Sequence, residues 1–181
     1  MVFACLARGG EPMSTSDRVE SIKRELSRID AEYQVADTQE HYRLTKSLSH
    51  WELSGLIEGG SPVYLQATLS EGSVVREETY YLKDRKPILV AVAQWLDLDD
   101  SKKAARSRQE LRFYIDGDRV IRRVVRRSGA SGPGRTDDVP GPSAELAKRP
   151  VLISRILAGE LAGHEARESL EAVPEAFSAI P

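Results

Sequence analysis

Near the start of the chain, apolar residues recur at helical spacing. Between Ser16 and Tyr33 they are separated by three or four positions, at Val19, Ile22, Leu26, Ile29 and Tyr33. This spacing places them in one stripe along an α-helix, with charged residues on the other faces. Ser16 or Asp17 can cap the first turn. The pattern predicts a helix over about residues 16–33 that packs on a sheet or on one other helix.

In the middle of the chain the apolar period changes to two, which is typical of β-strands. Six strands are predicted, over about residues 49–57, 62–70, 74–83, 86–96, 107–116 and 119–127. The run from Pro87 to Ala93 is apolar on both faces, which indicates the central strand of a sheet. Residues 34–48 show no clear period, and we expect them to link the helix to the sheet.

Three short segments share one turn pattern. At residues 57–63, 82–88 and 115–121 an apolar residue is followed by four polar, Gly or Asp residues, then by Pro or Val and a β-branched residue. Gly and Asp tolerate the positive φ that tight turns require, so each segment predicts the tip of a β-hairpin. The strands are therefore expected to form an antiparallel meander.

The last third of the chain predicts a linker and a helical tail. Residues 128–143 are rich in Gly, Ser and Pro, which is typical of a flexible linker. The apolar run Val151–Leu157 is expected to dock on the chain's own sheet, because exposure would forgo its burial. The predicted fold is α+β, divided into a disordered leader (1–15), a helix-plus-meander domain (16–127), the linker (128–143) and the tail (144–181).

Composition narrows the class of protein. With 181 residues and 40% apolar content the chain suits one domain with tails, and its net charge of −2 gives no general attraction to nucleic acid or membrane. The single cysteine, Cys5, excludes an internal disulfide, and no apolar run is long enough to predict a transmembrane segment. We expect a cytoplasmic protein as the chain stands. Met1–Cys5 ends like a lipoprotein signal, so export or lipid anchoring is the alternative if the translation start is mis-assigned.

Residues that commonly carry catalysis are scattered. The three histidines show no metal-ligand spacing, and no Gly-rich phosphate loop precedes a helix. Three aspartates between residues 97 and 100 lack the Gly and the distal Glu of a calcium loop, which favours a solvated turn. Glu77 and Glu78 are neighbours on a strand and should face opposite sides of the sheet. We therefore predict no catalytic residue, no metal site and no cofactor.

The segment 101–127 is strongly basic, with ten Lys or Arg residues against three Asp or Glu. Arginines interleaved with aromatic residues can bind single-stranded nucleic acid. Arginines on a final strand can also prevent edge-to-edge pairing. We rank this role first, contact with a protein or an anionic surface second, and nucleic-acid binding third. Combined with the paired aromatic residues of the hairpins, the segment gives the candidate binding residues: Tyr80, Tyr81, Tyr114, Arg112, Arg122 and Arg123.

The hairpins resemble a loose group of uncharacterised bacterial proteins. Tyr80-Tyr81-Leu82 and Phe113-Tyr114-Ile115 precede turns in a way similar to that group's repeated aromatic-Tyr-x-x-Asp-Gly hairpins, and Trp51–Gly55 before the first turn also fits. The resemblance covers residues 45–125. It implies an N-terminal helix ahead of the hairpins and, for many members, export or lipid anchoring; it implies no reaction.

Three functions remain open on the sequence. The first is a non-enzymatic binding or scaffold module that acts through the sheet face or the C-terminal tail, with an unknown protein or small ligand, or a second copy, as partner. The second is a small hydrolase or isomerase with a pocket between sheet and helix, using Tyr80, Tyr81, Glu78 or His50. The third is nucleic-acid binding through the basic segment.

Overall fold

The computed structural model describes residues 13–35, 41–96, 108–127, 135–137, 141–172 and 177. These hold three helices: α1 (Thr15–Val35), α2 (Ala144–Leu157) and α3 (Gly163–Glu171). They also hold nine strands: β1 (His41–Leu48), β2 (Trp51–Glu58), β3 (Ser61–Glu71), β4 (Val74–Lys83), β5 (Lys86–Leu96), β6 (Gln109–Asp116), β7 (Arg119–Arg127), β8 (Arg135–Asp137) and β9 (Gly141–Pro142). The predicted leader up to residue 12 and the aspartates at 97–100 lie outside the described residues.

Strands β1 to β7 form one antiparallel meander in which each strand pairs with the next along the chain. The predicted α+β class is confirmed. β5 is an interior strand between β4 and β6, as its apolar run indicated, but the middle strand of the seven is β4. Strands β8 and β9 lie within the predicted linker and both pair with β7. Part of the outer edge of β7 is therefore covered by these two short strands. Arg126 and Arg127, at the end of β7, lie beyond the positions that they cover.

The meander has one strand more than predicted. β1 occupies part of the segment expected to link helix and sheet, and it pairs with β2 from His41 to Leu48. Leu44 and Leu48 alternate correctly for a strand, but the position between them on the same face is Lys46. The half-buried Lys46 ammonium donates to the carbonyl oxygen of Ile156 at 3.1 Å. Because Lys46 stands at a position where the alternating pattern requires an apolar residue, the period of two that predicts a strand was not visible in the sequence.

Helix α1 covers one face of the sheet, which we call the α1 face. Its predicted stripe is confirmed, since Val19, Ile22 and Ile29 are buried there. They pack with residues from six strands, β2 to β7: Leu56, Tyr64, Tyr81, Leu89, Tyr114 and Val124. Tyr64 has its ring centroid 4.8 Å from that of Tyr33 and 5.2 Å from that of Tyr81. The carboxyl-terminal part of the helix packs through Tyr33 and Ile29 on Tyr64, and its amino-terminal part packs through Val19 and Ile22 on Leu89 and Tyr114.

Helices α2 and α3 cover the opposite face, which we call the tail face. The tail docks on its own sheet, as the sequence led us to expect, and it buries Leu146, Ile153, Ile156, Leu161, Leu170 and Phe177. Their partners on the sheet include Trp51, Leu53, Leu65, Tyr80, Val90, Val92 and Leu111. Gly55 permits the close approach of α2, because a Cβ atom there would lie 3.0 Å from the Leu157 side chain. Both faces of the sheet are thus covered, one by α1 and the other by the tail.

No helix within the described ranges is long and apolar enough to cross a membrane.

Candidate functional site: a pocket between the sheet and helix α2

A cavity of about 380 Å³ opens between the tail face and α2, and we call it the tail pocket. Its walls are apolar. The sheet contributes Leu44, Ile57, Pro62, Leu65 and Leu82, and α2 contributes Pro150, Val151 and Leu157. Val151 is 56% exposed, whereas Leu146, Ile153 and Ile156 of the same helix are buried in the core with the sheet. Val151 therefore stands at the rim of an unfilled apolar space. A concave, mainly apolar cavity of this size is what small-molecule sites in proteins have in common.

Three charged residues border the pocket. Arg155 and Glu160 compensate each other, with Arg155 Nε 3.3 Å from Glu160 Oε2. Arg85 has only a long contact, from its Nε to the hydroxyl of Ser61 at 3.4 Å. In the described part of the chain no carboxylate forms an ion pair with Arg85. Within the described residues, the border therefore carries one positive charge that no ion pair neutralises.

Arg85 adopts a backbone conformation that usually belongs to glycine. It is the second residue of the β4–β5 turn, with φ of 63°, and the preceding Asp84 has φ of 51°. The β2–β3 turn has the same two-residue form, but there both positions are glycines, Gly59 and Gly60. Positive φ at both positions defines the turn type that favours Gly, Asn and Asp. An arginine is strained at this position, so the Arg85 backbone conformation costs free energy that a glycine would not.

Arg85→Gly is therefore expected to stabilise the fold by about 0.5–1 kcal/mol, because relief of the left-handed strain exceeds the added chain entropy of glycine. The measurement is the urea midpoint of unfolding. Lys83→Gly is the matched control, since Lys83 is an exposed strand residue of the same hairpin without positive φ. If both variants destabilise equally, the strain at Arg85 is not significant.

Beside the pocket, the tail face contains a buried ion pair. The Glu78 carboxylate is fully buried and accepts hydrogen bonds from Arg149 Nε at 2.9 Å and Arg149 Nη2 at 3.1 Å. The Tyr80 hydroxyl donates to the same carboxylate at 2.8 Å. Arg76 Nη2 lies 3.2 Å from Glu78 Oε1. Burial raises the pKa of Tyr80 and lowers the pKa of Arg76.

Arg149 joins the tail to the sheet through this pair. Its Nη1 donates to the carbonyl oxygens of Ser169 at 3.1 Å and Ala172 at 3.4 Å, and its guanidinium lies 5.3 Å from the Trp51 ring centroid. The side chain is 2% exposed. Both charges are compensated and both groups are covered, so no space remains for a substrate beside the carboxylate. The arrangement holds α2, the end of α3 and the sheet together.

A second, more polar cavity of about 300 Å³ lies beside α1 on the other face, and we call it the α1 groove. Ala91 and Ala93 on β5 line it. Its charged groups are paired within the protein. Arg112 Nη2 lies 2.7 Å from Glu110, and the Tyr81 hydroxyl donates to Asp30 at 2.7 Å.

Two groups in the α1 groove have shifted pKa values. Burial, followed by the hydrogen bond to Asp30, raises the pKa of Tyr81. Burial opposes the charge of Arg112, but its hydrogen bond to Glu110 prevails and the pKa of Arg112 is raised. The groove therefore presents a protonated tyrosine and a compensated arginine, and a charged ligand would have to displace existing pairs.

The structure separates the candidate binding residues between the two faces. Tyr81 and Arg112 lie together in the α1 groove, and Tyr114 and Arg122 are on the same face. Tyr80 and Arg123 are on the tail face, where Tyr80 is occupied by Glu78. None of the six lines the tail pocket.

The residues suggested for an enzyme do not converge either. His50 is exposed in the β1–β2 turn, Tyr81 faces α1, and Glu78 and Tyr80 form the covered ion-pair cluster. No group of three His, Cys, Asp or Glu side chains able to hold a metal occurs among the residues the structure describes. Of the basic segment, residues 101–107 lie outside those residues.

Arg149, which forms the buried ion pair, and Arg85, which borders the tail pocket, were not among the residues predicted from the sequence. Arg149 follows Leu146 and precedes Ile153 and Ile156 at helical spacing, so it interrupts an apolar stripe. Glu78 likewise alternates with Tyr80 and Leu82 on β4. A lone charge in an apolar stripe of one element, matched by an opposite charge in another, is a signal for a buried pair. Arg85 could have been found by aligning its turn with Gly59-Gly60.

Comparison of the chain with protein-family models, curated proteins and solved structures gave no match.

Proposed function

We propose that this chain is a non-enzymatic binding module and that the tail pocket is its ligand site. The observation that carries the proposal is an open, apolar cavity bounded by both the sheet and the tail. Among the described residues of the tail, the large apolar side chains of Leu146, Ile153, Ile156, Leu161, Leu170 and Phe177 are buried, whereas Val151 is exposed at the pocket rim. A ligand there would cover apolar surface that the protein leaves in water.

The chemistry of the lining supports binding over catalysis. Among the described residues, the pocket's polar side chains are Arg85, Ser154, Arg155 and Glu160. The Ser154 hydroxyl donates to the carbonyl oxygen of Pro150 at 2.8 Å, within its own helix, and Arg155 pairs with Glu160. A nucleophile needs a base within hydrogen-bond reach, and Ser154 has none there.

The proposal is tested with a neutral apolar dye such as Nile red, whose fluorescence rises in apolar surroundings. We expect saturable binding to the full-length protein. Ala158→Trp should reduce the affinity about tenfold or more, because Ala158 is an exposed residue lining the pocket and an indole there would occupy it.

Ala144→Trp is the matched control. Ala144 is an exposed residue at the start of the same helix and does not line the pocket, so dye affinity should stay unchanged. Absence of saturable binding to the wild-type protein, or equal loss in both variants, would contradict the proposal.

A further inference from the structure

As far as the structure describes the chain, the tail pocket combines an apolar interior with one cation at its border, Arg85, that forms no ion pair. Leu65, Leu82 and Leu157 provide apolar walls, while the guanidinium of Arg85 stands at the tip of the β4–β5 hairpin. We infer that the ligand is a small amphipathic molecule with an apolar body and one carboxylate head, and that Arg85 binds the head. The inference rests on the proposed binding role of the same pocket.

Charge balance around the pocket favours an anion over a cation. Arg155 and Glu160 form an ion pair with each other, which leaves Arg85 as the net charge. The carboxyl end of α2 also borders the pocket and carries a partial negative charge. That charge is offset by Lys46, whose ammonium donates to the Ile156 carbonyl oxygen at 3.1 Å.

The backbone at Arg85 is an independent argument for a role of its side chain. The equivalent position of the β2–β3 turn is Gly60, which also lines the pocket and adopts the same conformation without strain. Stability alone would favour glycine at residue 85 as well. Guanidinium groups bind carboxylates with two parallel hydrogen bonds, and Arg85 has only its Nε engaged, at 3.4 Å from Ser61 Oγ.

The experiment compares octanoate with octan-1-ol, two probes of equal chain length that differ in the head group. Isothermal titration calorimetry on the full-length protein gives the ratio of their affinities. Because the two heads differ in solvation, the informative quantity is the change of this ratio on mutation. Arg85→Gln should lower the ratio of octanoate affinity to octan-1-ol affinity about fivefold. The gap between the wild-type and variant ratios should become smaller as salt is added. Arg85→Lys should restore part of the ratio.

Lys83→Gln is the matched control, since it removes an exposed cation from the same hairpin without touching the pocket lining. The ratio should then stay at its wild-type value. If octan-1-ol binds but Arg85→Gln leaves the ratio unchanged, the carboxylate inference is overturned and the proposed function stands. If neither probe binds, the carboxylate inference and the proposed function are both overturned. If the wild-type protein binds neither probe and sediments as a dimer, and a substitution at Val151 makes it a monomer, the pocket is the contact site of a second copy.

Discussion

Arg149→Ala is expected to lower the free energy of unfolding by about 3–5 kcal/mol, because it leaves the buried Glu78 carboxylate with a single guanidinium neighbour. The substitution removes both hydrogen bonds to Glu78 and both hydrogen bonds to the Ser169 and Ala172 carbonyls. Arg76 remains 3.2 Å from Glu78, so part of the charge stays compensated. A loss of this size is a large share of the stability of an ordinary domain.

Urea unfolding followed by circular dichroism measures this loss. Arg167→Ala is the matched control on the same tail, since Arg167 forms an exposed ion pair with Glu171 and should cost about 0.5 kcal/mol or less. The double variant Glu78→Leu with Arg149→Met should cost much less than the sum of the two single changes, because it removes both charges together. Equal effects of Arg149→Ala and Arg167→Ala would show that the buried pair does not fasten the tail.

Deletion of residues 143–181 is expected to abolish the native fold of the remaining sheet. Among the described residues it removes six large buried apolar side chains, each of which contributes roughly 1.5–3 kcal/mol by burial. It also exposes Trp51 and Tyr80, and it leaves Glu78 without its main partner. The loss is as large as the whole stability of a typical domain.

The deletion is measured by thermal unfolding, by the emission maximum of tryptophan and by the fluorescence of an apolar dye. The truncated chain should show no cooperative transition, with red-shifted emission and raised dye fluorescence. A synthetic peptide of residues 143–181 added in trans should restore the transition, because the tail face would be covered again. A truncated monomer as stable as the full chain would contradict the docking of the tail.

Periodicity predicted those parts of the fold in which one face of an element is uniformly apolar. The stripe from Val19 to Tyr33 predicted α1, and the apolar run of β5 predicted an interior strand of the sheet, since burial decides those positions. β1 was missed because Lys46 occupies an apolar register and satisfies its charge on a carbonyl of α2. Such a contact joins residues 110 positions apart and leaves no local pattern.

The site was harder to predict than the fold. The candidate residues were chosen as paired aromatics and clustered arginines, but alternation along each strand sends neighbours to opposite faces. Tyr80 and Tyr81 therefore lie on different sides of the sheet, one under the tail and one under α1. The tail pocket depends on how α2 sits against two hairpins, and that geometry is set by tertiary packing. Of the pocket residues, Arg85 could have been recognised from the sequence, because it occupies a turn position where the equivalent turn has glycine.

Occupation of the tail pocket is most directly observed by methyl-labelled NMR of the full-length protein titrated with octanoate. Leu65, Leu82 and Leu157 line the pocket, whereas Leu26 and Leu89 line the α1 groove on the opposite face. We expect saturable shifts at the methyl groups of the first three and none at the other two. Shifts confined to Leu26 and Leu89, or no shifts at millimolar octanoate, would contradict a ligand site between the sheet and α2.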